Sequence, residues 1–286
     1  MYTQAITQKN RSAIIFCLDC STSMQEMVEF NDVMMSKAEV VAMIANIMID
    51  ELIIRSSRHN TIRHYYDIAI IGYQGETVIN LLGDDDIEFI PITQLGARSP
   101  KECDYSFKQK VSDYETIYAN FVTHEWIKPR AEGKTPMYGA LIEVYNLVDE
   151  WCMMRAHQNS FPPIIFHITD GIPTDCGNID LINIANNIKR TGTLDGNTLF
   201  VNVHVGSGSG LSDDRALFPA ELDDRISSER IHTLFNMSSE VPLSLLHQLP
   251  GKATEDDEPR PRLVAYDISP CELLNIINIG SESISD

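Results

Sequence analysis

The stretch AIIFCLDCSTSMQEM, residues 13–27, begins as an apolar run, stops at Asp19 and continues with three consecutive hydroxyl side chains. A run that is apolar on both faces is typical of a central strand in a parallel sheet. Polar residues end many strands, so this change of character alone would indicate only a turn. Ser21 and Ser23, together with Asp19, also supply hard oxygen atoms where the strand ends, which is the pattern of a ligand site.

Strand and helix patterns alternate along the rest of the chain. Further strands are predicted in PPIIFHITDG and NTLFVNVHVG, and a hairpin in YYDIAIIGYQGETVINLLG. A capping box of Ser36 and Glu39 begins a long helix, and other helices are predicted from Met137, in NIDLINIANNIKR, in SERIHTLFNMSSEVPLSLLHQL and over 114–127. This alternation predicts an α/β fold with a doubly wound, mainly parallel, Rossmann-like sheet of about six strands and helices on both faces.

The chain is expected to form one domain over residues 1–250. The stretch GKATEDDEPRPR, which begins at Gly251, has the charge and prolines of a linker, and an apolar tail able to dock on the domain follows it to residue 286. The pattern is weak between 84 and 112, and no role is predicted for that insertion.

Composition excludes some classes of partner. The net charge of −19 argues against nucleic acid and anionic membrane surfaces, because both would be repelled. No apolar run approaches the ~20 residues needed to span a bilayer, and the N-terminal residues lack a signal-peptide pattern. A cytoplasmic location is therefore expected.

Cys17 and Cys20 form a lone CxxC, which predicts a buried Cys17, with a redox pair as the alternative.

Three segments together predict a metal site. In doubly wound sheets, ligands bind outside the carboxyl ends of the strands. Asp19 and Asp170 each end a predicted strand, and Thr135 of GKTPMYGA lies in a loop just before a helix. With Ser21 and Ser23 they make a set of two carboxylates and three hydroxyls, which suits Mg²⁺ or Mn²⁺, with Ca²⁺ as a further option.

His167 and His204 lie within apolar strands and are interpreted as core histidines with satisfied hydrogen bonds.

The same three segments resemble a known family. DxSxS after a first strand, GxTP in a mid-chain loop and TDGxPTD after a later strand resemble the von Willebrand factor type A domain with its metal-ion-dependent adhesion site, over roughly Ser12 to Val205. The resemblance implies a Rossmann-like domain that binds a partner protein through the metal. It also implies direct ligation by the three hydroxyls, and ligation mostly through water by the two carboxylates.

A narrower likeness concerns PIIFHITDGIPTD and LFNMSSEVPLSLL, which resemble segments of intracellular bacterial type A proteins from tellurite-resistance and stress clusters. Members of that group accompany kinase and phosphatase genes, which implies a kinase or phosphatase encoded nearby as a partner. One departure from the family pattern is Lys134, which stands where a glycine often precedes the threonine and places an ammonium beside the site.

The sequence thus predicts a non-enzymatic, metal-dependent module that binds a partner protein through an exposed Asp or Glu. The expected rim of the partner site contains Met24, Lys134, Met137 and Tyr138. One alternative is a Mg²⁺-dependent hydrolase or phosphatase. A haloacid-dehalogenase-type phosphatase also has an aspartate at the end of its first strand, but it needs a second carboxylate two residues later, where this chain has Ser21. Another is an exported adhesin, against which the missing signal peptide argues. The GSGSG stretch at 206–210 lacks the remaining features of a phosphate-binding loop.

Overall fold

The computed structural model of the protein describes residues 2–30, 33–83, 86–112, 115–171, 173–206, 216–223, 228–248 and 259–266. The helices in these ranges are α1 (Lys37–Ser56), α2 (Ile92–Leu95), α3 (Met137–Met153), α4 (Asn178–Arg190) and α5 (Glu229–Met237). The strands are β1 (Ser12–Asp19), β2 (Met27–Phe30), β3 (Val33–Ser36), β4 (Ser57–Arg58), β5 (Thr61–Ile62), β6 (Tyr66–Gln74), β7 (Thr77–Asn80), β8 (Ile90–Pro91), β9 (Glu102–Ser112), β10 (Glu115–His124), β11 (Ile164–Thr169), β12 (Leu199–His204), β13 (Ala216–Leu217) and β14 (Val264–Tyr266).

One sheet organises the molecule. Its strand order is β13-β14-β12-β11-β1-β6-β7, and β8 pairs with β6 as an eighth strand. The strands β6, β1, β11, β12 and β14 are parallel, whereas β7, β8 and β13 are antiparallel to their neighbours. The predicted doubly wound, mainly parallel α/β fold is confirmed. The sheet has eight strands in the described residues instead of about six, because short antiparallel strands extend its edges.

The order of the strands places the end of β1 at a special position. The chain leaves β1 on one side to reach β6 and later returns to the other side to form β11. The strand order therefore reverses at β1, and a crevice forms at such a switch point, outside the carboxyl ends of the strands. This topology brings the residues that follow β1 and β11 to the same edge of the sheet, which we call the carboxyl edge.

Helices cover both faces of the sheet. Alternate residues of β1 (Ile14, Phe16 and Leu18) pack in one core cluster with the apolar side of α1. The intervening residues of β1 pack in a second cluster with α3, α4 and α5. Every residue of β1 is buried, which explains the continuous apolar run in its sequence. The predicted capping box is also confirmed, since Ser36 Oγ accepts from Glu39 N at 3.2 Å while Glu39 Oε2 accepts from Ser36 N at 2.7 Å.

The helix predicted over 114–127 is wrong. Residues Glu115–His124 form β10, which pairs antiparallel with β9 in a separate two-stranded sheet. The segment is rich in β-branched and aromatic residues, which favour strands once a partner strand is present. The carboxylate of Asp50 on α1 holds the end of this hairpin, because it accepts hydrogen bonds from His124 N at 2.8 Å and Trp126 Nε1 at 2.8 Å.

The segment expected to be a linker and tail lies partly outside the described residues, which exclude 249–258 and 267–286. Its described part contains β14, which lies in the main sheet between β12 and β13. In the ranges that the structure describes, no helix combines the length and the apolar character that crossing a membrane would require.

Candidate metal centre

Three loops meet at the carboxyl edge of the sheet. The loop after β1 is joined to the segment before α3 by two backbone hydrogen bonds, from Thr22 N to Gly133 O at 2.9 Å and from Glu132 N to Cys20 O at 2.8 Å. These contacts bring the DCSTS and GKTP segments side by side.

The segment before α3 is joined in turn to the loop after β11. Thr174 N donates to Thr135 O at 3.0 Å, and Thr135 N donates to Thr174 Oγ1 at 3.0 Å. The carboxylate of Asp175 accepts from the backbone N–H groups of Tyr138 and Gly139, at 3.2 and 3.0 Å, and so caps the start of α3 from another loop. The PTD part of TDGIPTD therefore fixes the position of Thr135, a role that sequence reasoning had not assigned.

Asp19 is buried at the centre of this arrangement. Its Oδ1 accepts from Ser21 N at 2.9 Å, and its Oδ2 accepts from Thr169 Oγ1 at 2.7 Å. Burial raises the pKa of this carboxyl, and the nearby charge of Asp170 acts in the same direction, although the hydrogen bonds from Ser21 and Thr169 oppose the shift. A divalent cation would favour the charged form of Asp19 by compensating for the water it has lost.

Asp170 is the second buried carboxylate, with only 2% of its surface exposed. Its Oδ2 lies 3.5 Å from the ammonium of Lys37, whereas its buried Oδ1 has no hydrogen-bond partner among the described residues. A buried carboxylate oxygen without a partner is costly, because it has given up its water and gained nothing in return. A bound cation is one arrangement that would satisfy it.

The predicted ligands form a donor set that fits a small, hard cation. Ser21 Oγ lies 3.0 Å from Ser23 Oγ. Neighbouring oxygens in an octahedral Mg²⁺ shell, with metal–oxygen distances of about 2.1 Å, are separated by about 3.0 Å. Among the described residues there is no group of three or more His, Cys, Asp or Glu that could hold a metal. The candidate set has only two carboxylates, and therefore depends on the hydroxyls of Ser21, Ser23 and Thr135.

Lys37 was not predicted to belong to this centre. It is the first residue of α1 and is only 6% exposed. Its ammonium lies 2.5 Å from Glu26 Oε2 as well as 3.5 Å from Asp170 Oδ2. The hydrogen bond from Lys37, with its charge, lowers the pKa of the exposed Glu26 carboxyl. No sequence signal marks this lysine, because lysines in the first turn of a helix are usually exposed.

Two of the four residues predicted for the rim are buried in the core. Met24 and Met137 are 0% exposed, so the prediction that they provide apolar contact to a partner is wrong. Each packs into the core, Met24 with the cluster around α1 and Met137 with the cluster around α3. Lys134 is exposed and pairs with Glu76 at 3.0 Å, and Tyr138 is half-buried. The described surface beside the centre is therefore more polar than expected.

The histidines of the apolar strands lie in hydrogen-bond networks. His167 Nε2 is 2.9 Å from Tyr73 Oη, and its Nδ1 is 2.8 Å from Asn202 Oδ1. Asn202 Nδ2 continues the network to Ser238 Oγ at 2.8 Å. His204 Nε2 lies 3.1 Å from the backbone oxygen of Asp170. The interpretation of His167 as a satisfied core residue is confirmed, whereas His204 is half-buried at the end of β12.

The two thiols of the CxxC are both free and buried. Burial raises the pKa of the Cys20 thiol to about 12, and the charge of Asp19 adds to this shift. Redox exchange requires a thiolate, so the environment of Cys20 argues against the redox alternative.

Protein stability is expected to fall as the pH decreases from about 6.5 towards 4, in part because of His167. Burial lowers the pKa of its ring from 6.5 to about 4, against a smaller opposing effect of Asn202. The unfolded chain therefore binds more protons than the folded protein in this window, and the free energy of unfolding decreases with decreasing pH. Urea unfolding at several pH values across the window would measure the slope.

His167→Gln provides the comparison, because glutamine keeps one donor and one acceptor but does not titrate. Its stability is expected to depend less steeply on pH between 6.5 and 4. Equal slopes for the two proteins would show that His167 does not contribute to the pH dependence.

Comparisons with known proteins are informative mainly at the level of structure. No protein-family model matches the chain, and no curated protein sequence matches it significantly. Solved structures do match, among them a von Willebrand factor type A protein from Catenulispora acidiphila (13% identity, TM-score 0.40, covering 69% of this chain and 34% of that one). This chain therefore spans about a third of the length of that protein.

Two further structures match over more of their own length. One is the vWF domain of the type V pili tip protein Mfa5 from Porphyromonas gingivalis (13% identity, TM-score 0.33, covering 94% of this chain and 76% of that one). The other is an aerotolerance-related membrane protein from Bacteroides fragilis (12% identity, TM-score 0.34, covering 79% and 86%). TM-scores below 0.5 at such identities do not establish a family for this chain.

Proposed function

We propose that this chain is a metal-dependent protein-binding module of the von Willebrand factor type A kind, whose Mg²⁺-type centre binds an acidic side chain of a partner protein. The observation that carries the proposal is the buried Asp170 Oδ1, which has no hydrogen-bond partner in the part of the chain that the structure describes and lies where the three oxygen-bearing loops meet. Asp19, Ser21, Ser23, Thr135 and Asp170 would hold the ion.

Charge balance supports an acidic ligand from outside. The two carboxylates, Asp19 and Asp170, only offset the two charges of a divalent ion, so a further carboxylate would not be repelled by the filled centre. The ammonium of Lys37 lies 3.5 Å from Asp170, and the carboxylate of Glu26, which is closer to it, offsets its charge. Since the whole chain is strongly acidic, the ion would be the main local attraction for an Asp or Glu of the partner.

The biological setting is proposed from sequence resemblance alone. The likeness to type A proteins of tellurite-resistance and stress clusters suggests a cytoplasmic signalling system, with a kinase or phosphatase encoded nearby as the partner.

Millimolar Mg²⁺ or Mn²⁺ is expected to raise the melting temperature. A ligand that binds only the folded state stabilises it, by about 2.7 kcal/mol at a hundred times its dissociation constant. Differential scanning calorimetry with MgCl₂, and with KCl at matched ionic strength, would separate specific binding from screening. Pull-down of partners in Mg²⁺ and in EDTA would then test the metal-dependent association. Equal melting temperatures in MgCl₂ and KCl would contradict a metal centre.

The centre is expected to have no hydrolytic activity. In the described residues, Asp19 is hydrogen-bonded to Ser21 and Thr169, and Ser21 occupies the place of the second acid that a haloacid-dehalogenase-type phosphatase needs. Purified protein with Mg²⁺ should therefore hydrolyse neither ATP nor generic phosphoesters above background. Metal-dependent turnover that disappears in Asp19→Ala would instead support the Mg²⁺-dependent hydrolase.

A further inference from the structure

A cavity of about 850 Å³ opens beside the candidate metal centre, between the start of α1 and the segment that follows β10. Its charged lining residues are three cations and two acids, Lys101, Lys128, Arg130, Glu39 and Glu125. We call this cavity the basic pocket. An excess of cations is unusual in a chain that has 41 acidic and 22 basic residues.

Two of the three cations of the basic pocket, Lys101 and Arg130, are exposed and without an ion pair among the described residues. Lys128 is also exposed, and its Nζ lies 3.8 Å from Glu125 Oε1. The carboxylate of Glu39 accepts the capping-box hydrogen bonds of α1 but keeps its charge, so the three cations and two carboxylates leave the lining with a net charge of +1. The cations are therefore available to an anionic ligand at little desolvation cost.

The basic pocket is continuous with the loops of the metal centre. Gln25, in the loop after β1, lines the pocket, and its Nε2 donates to Ala131 O at 2.8 Å. Arg130 is five positions before Thr135 in the chain, so their Cα atoms are at most about 18 Å apart. An extended polypeptide of about five residues would reach from one site to the other.

We propose that the basic pocket binds an extended acidic polypeptide segment of the partner, which places one carboxylate at the metal and others near Lys101, Lys128 and Arg130. The metal end of this arrangement rests on the proposed function, whereas the basic pocket rests on its own charges. Nucleic acid fits less well, because a long polyanion would also meet the acidic remainder of the surface. The cations are spread along a wide cavity, which suits several separate carboxylates.

The test uses a dye-labelled hexaglutamate peptide and the full chain, with fluorescence anisotropy as the measurement. The double variant Lys101→Gln/Arg130→Gln is expected to bind the peptide about five- to tenfold more weakly, as for two surface ion pairs. The matched control is Lys9→Gln/Arg190→Gln, which removes the same charge from exposed side chains at the opposite edge of the sheet. We expect the control to change the affinity less than twofold, and hexaglutamine to bind neither protein.

Repeating the titration in EDTA distinguishes the two sites. A loss of affinity that is confined to the pocket variant and persists in EDTA supports the basic pocket, even if Mg²⁺ has no effect and the proposed metal role fails. Equal losses in the pocket variant and the control would indicate general charge attraction and overturn the proposal. Absence of hexaglutamate binding to the unmodified chain, with or without Mg²⁺, would also overturn it.

Discussion

Thr135→Val is expected to weaken metal-dependent binding of a verified partner by about a hundredfold while leaving the metal-free protein folded. Loss of a group that only supports a metal ligand typically costs 10- to 100-fold in affinity, and here a proposed ligand itself is lost. Valine has nearly the volume of threonine and so opens no cavity, but it lacks the hydroxyl that is the proposed ligand. In the described residues the Thr135 hydroxyl makes no hydrogen bond, and the backbone contacts to Thr174 do not need it.

Isothermal titration calorimetry with a partner captured in Mg²⁺ would measure the affinity, and urea unfolding in EDTA would measure the stability. Thr135→Ser, which keeps the hydroxyl, is the matched control and should retain most of the binding. Thr135→Ala should lose binding like the valine variant. If Thr135→Val and EDTA both leave the affinity unchanged, the partner does not bind through the metal. If Thr135→Val unfolds in EDTA, the expected separation of binding from stability is wrong.

The sequence predicts most of the fold because its central strands are buried on both faces. Such strands need apolar side chains at nearly every position, and Ser12–Asp19, Ile164–Thr169 and Leu199–His204 all show this pattern. The order of the strands could not be read from the pattern. Doubly wound sheets occur with more than one strand order, but in each of them the parallel strands end at the same edge, which is where Asp19 and Asp170 lie.

The hairpin of β9 and β10 shows where local patterns fail. The residues of β10 are compatible with a helix by spacing and with a strand by composition. The choice depends on pairing with Glu102–Ser112, and on the contacts of His124 and Trp126 with Asp50. Such contacts between distant parts of the chain override local propensity, and the sequence of the segment alone does not reveal them.

The candidate centre was predictable in its ligands but not in its surroundings. Asp19, Ser21 and Ser23 lie close together in sequence, so their grouping follows from the chain itself. The burial of Met24 and Met137, and of Lys37, depends on how each loop or helix start turns towards the core. Periodicity does not specify that direction at the ends of elements, where backbone geometry changes from one residue to the next.

Lys37→Met is expected to have opposite effects on the metal-free and the metal-bound protein. In the described residues, Lys37 makes the one ion pair of Asp170, and both residues are buried, at 6% and 2% exposure. Removing one partner of a buried ion pair typically costs 3–5 kcal/mol, because the other charge is left uncompensated. Glu26 also loses its partner, but its side chain is 61% exposed and can be solvated by water. We therefore expect the free energy of unfolding in EDTA to fall by about 3 kcal/mol.

A divalent ion would reverse this loss, since it would compensate for the charge of Asp170 in place of the ammonium. Removing a cation that lies 3.5 Å from a proposed ligand should also favour metal binding. Mg²⁺ is therefore expected to stabilise Lys37→Met by more than it stabilises the unmodified chain, in urea unfolding and in thermal scans.

Lys134→Met is the matched control, because Lys134 is exposed, with its side chain 66% accessible, in the loop that carries Thr135. Its change should stay within about 0.5 kcal/mol, with or without the ion. Equal effects of the two substitutions in EDTA would mean that the Lys37–Asp170 pair is not energetically important. A smaller Mg²⁺ stabilisation of Lys37→Met would instead mean that the ammonium assists metal binding, for example by orienting Asp170.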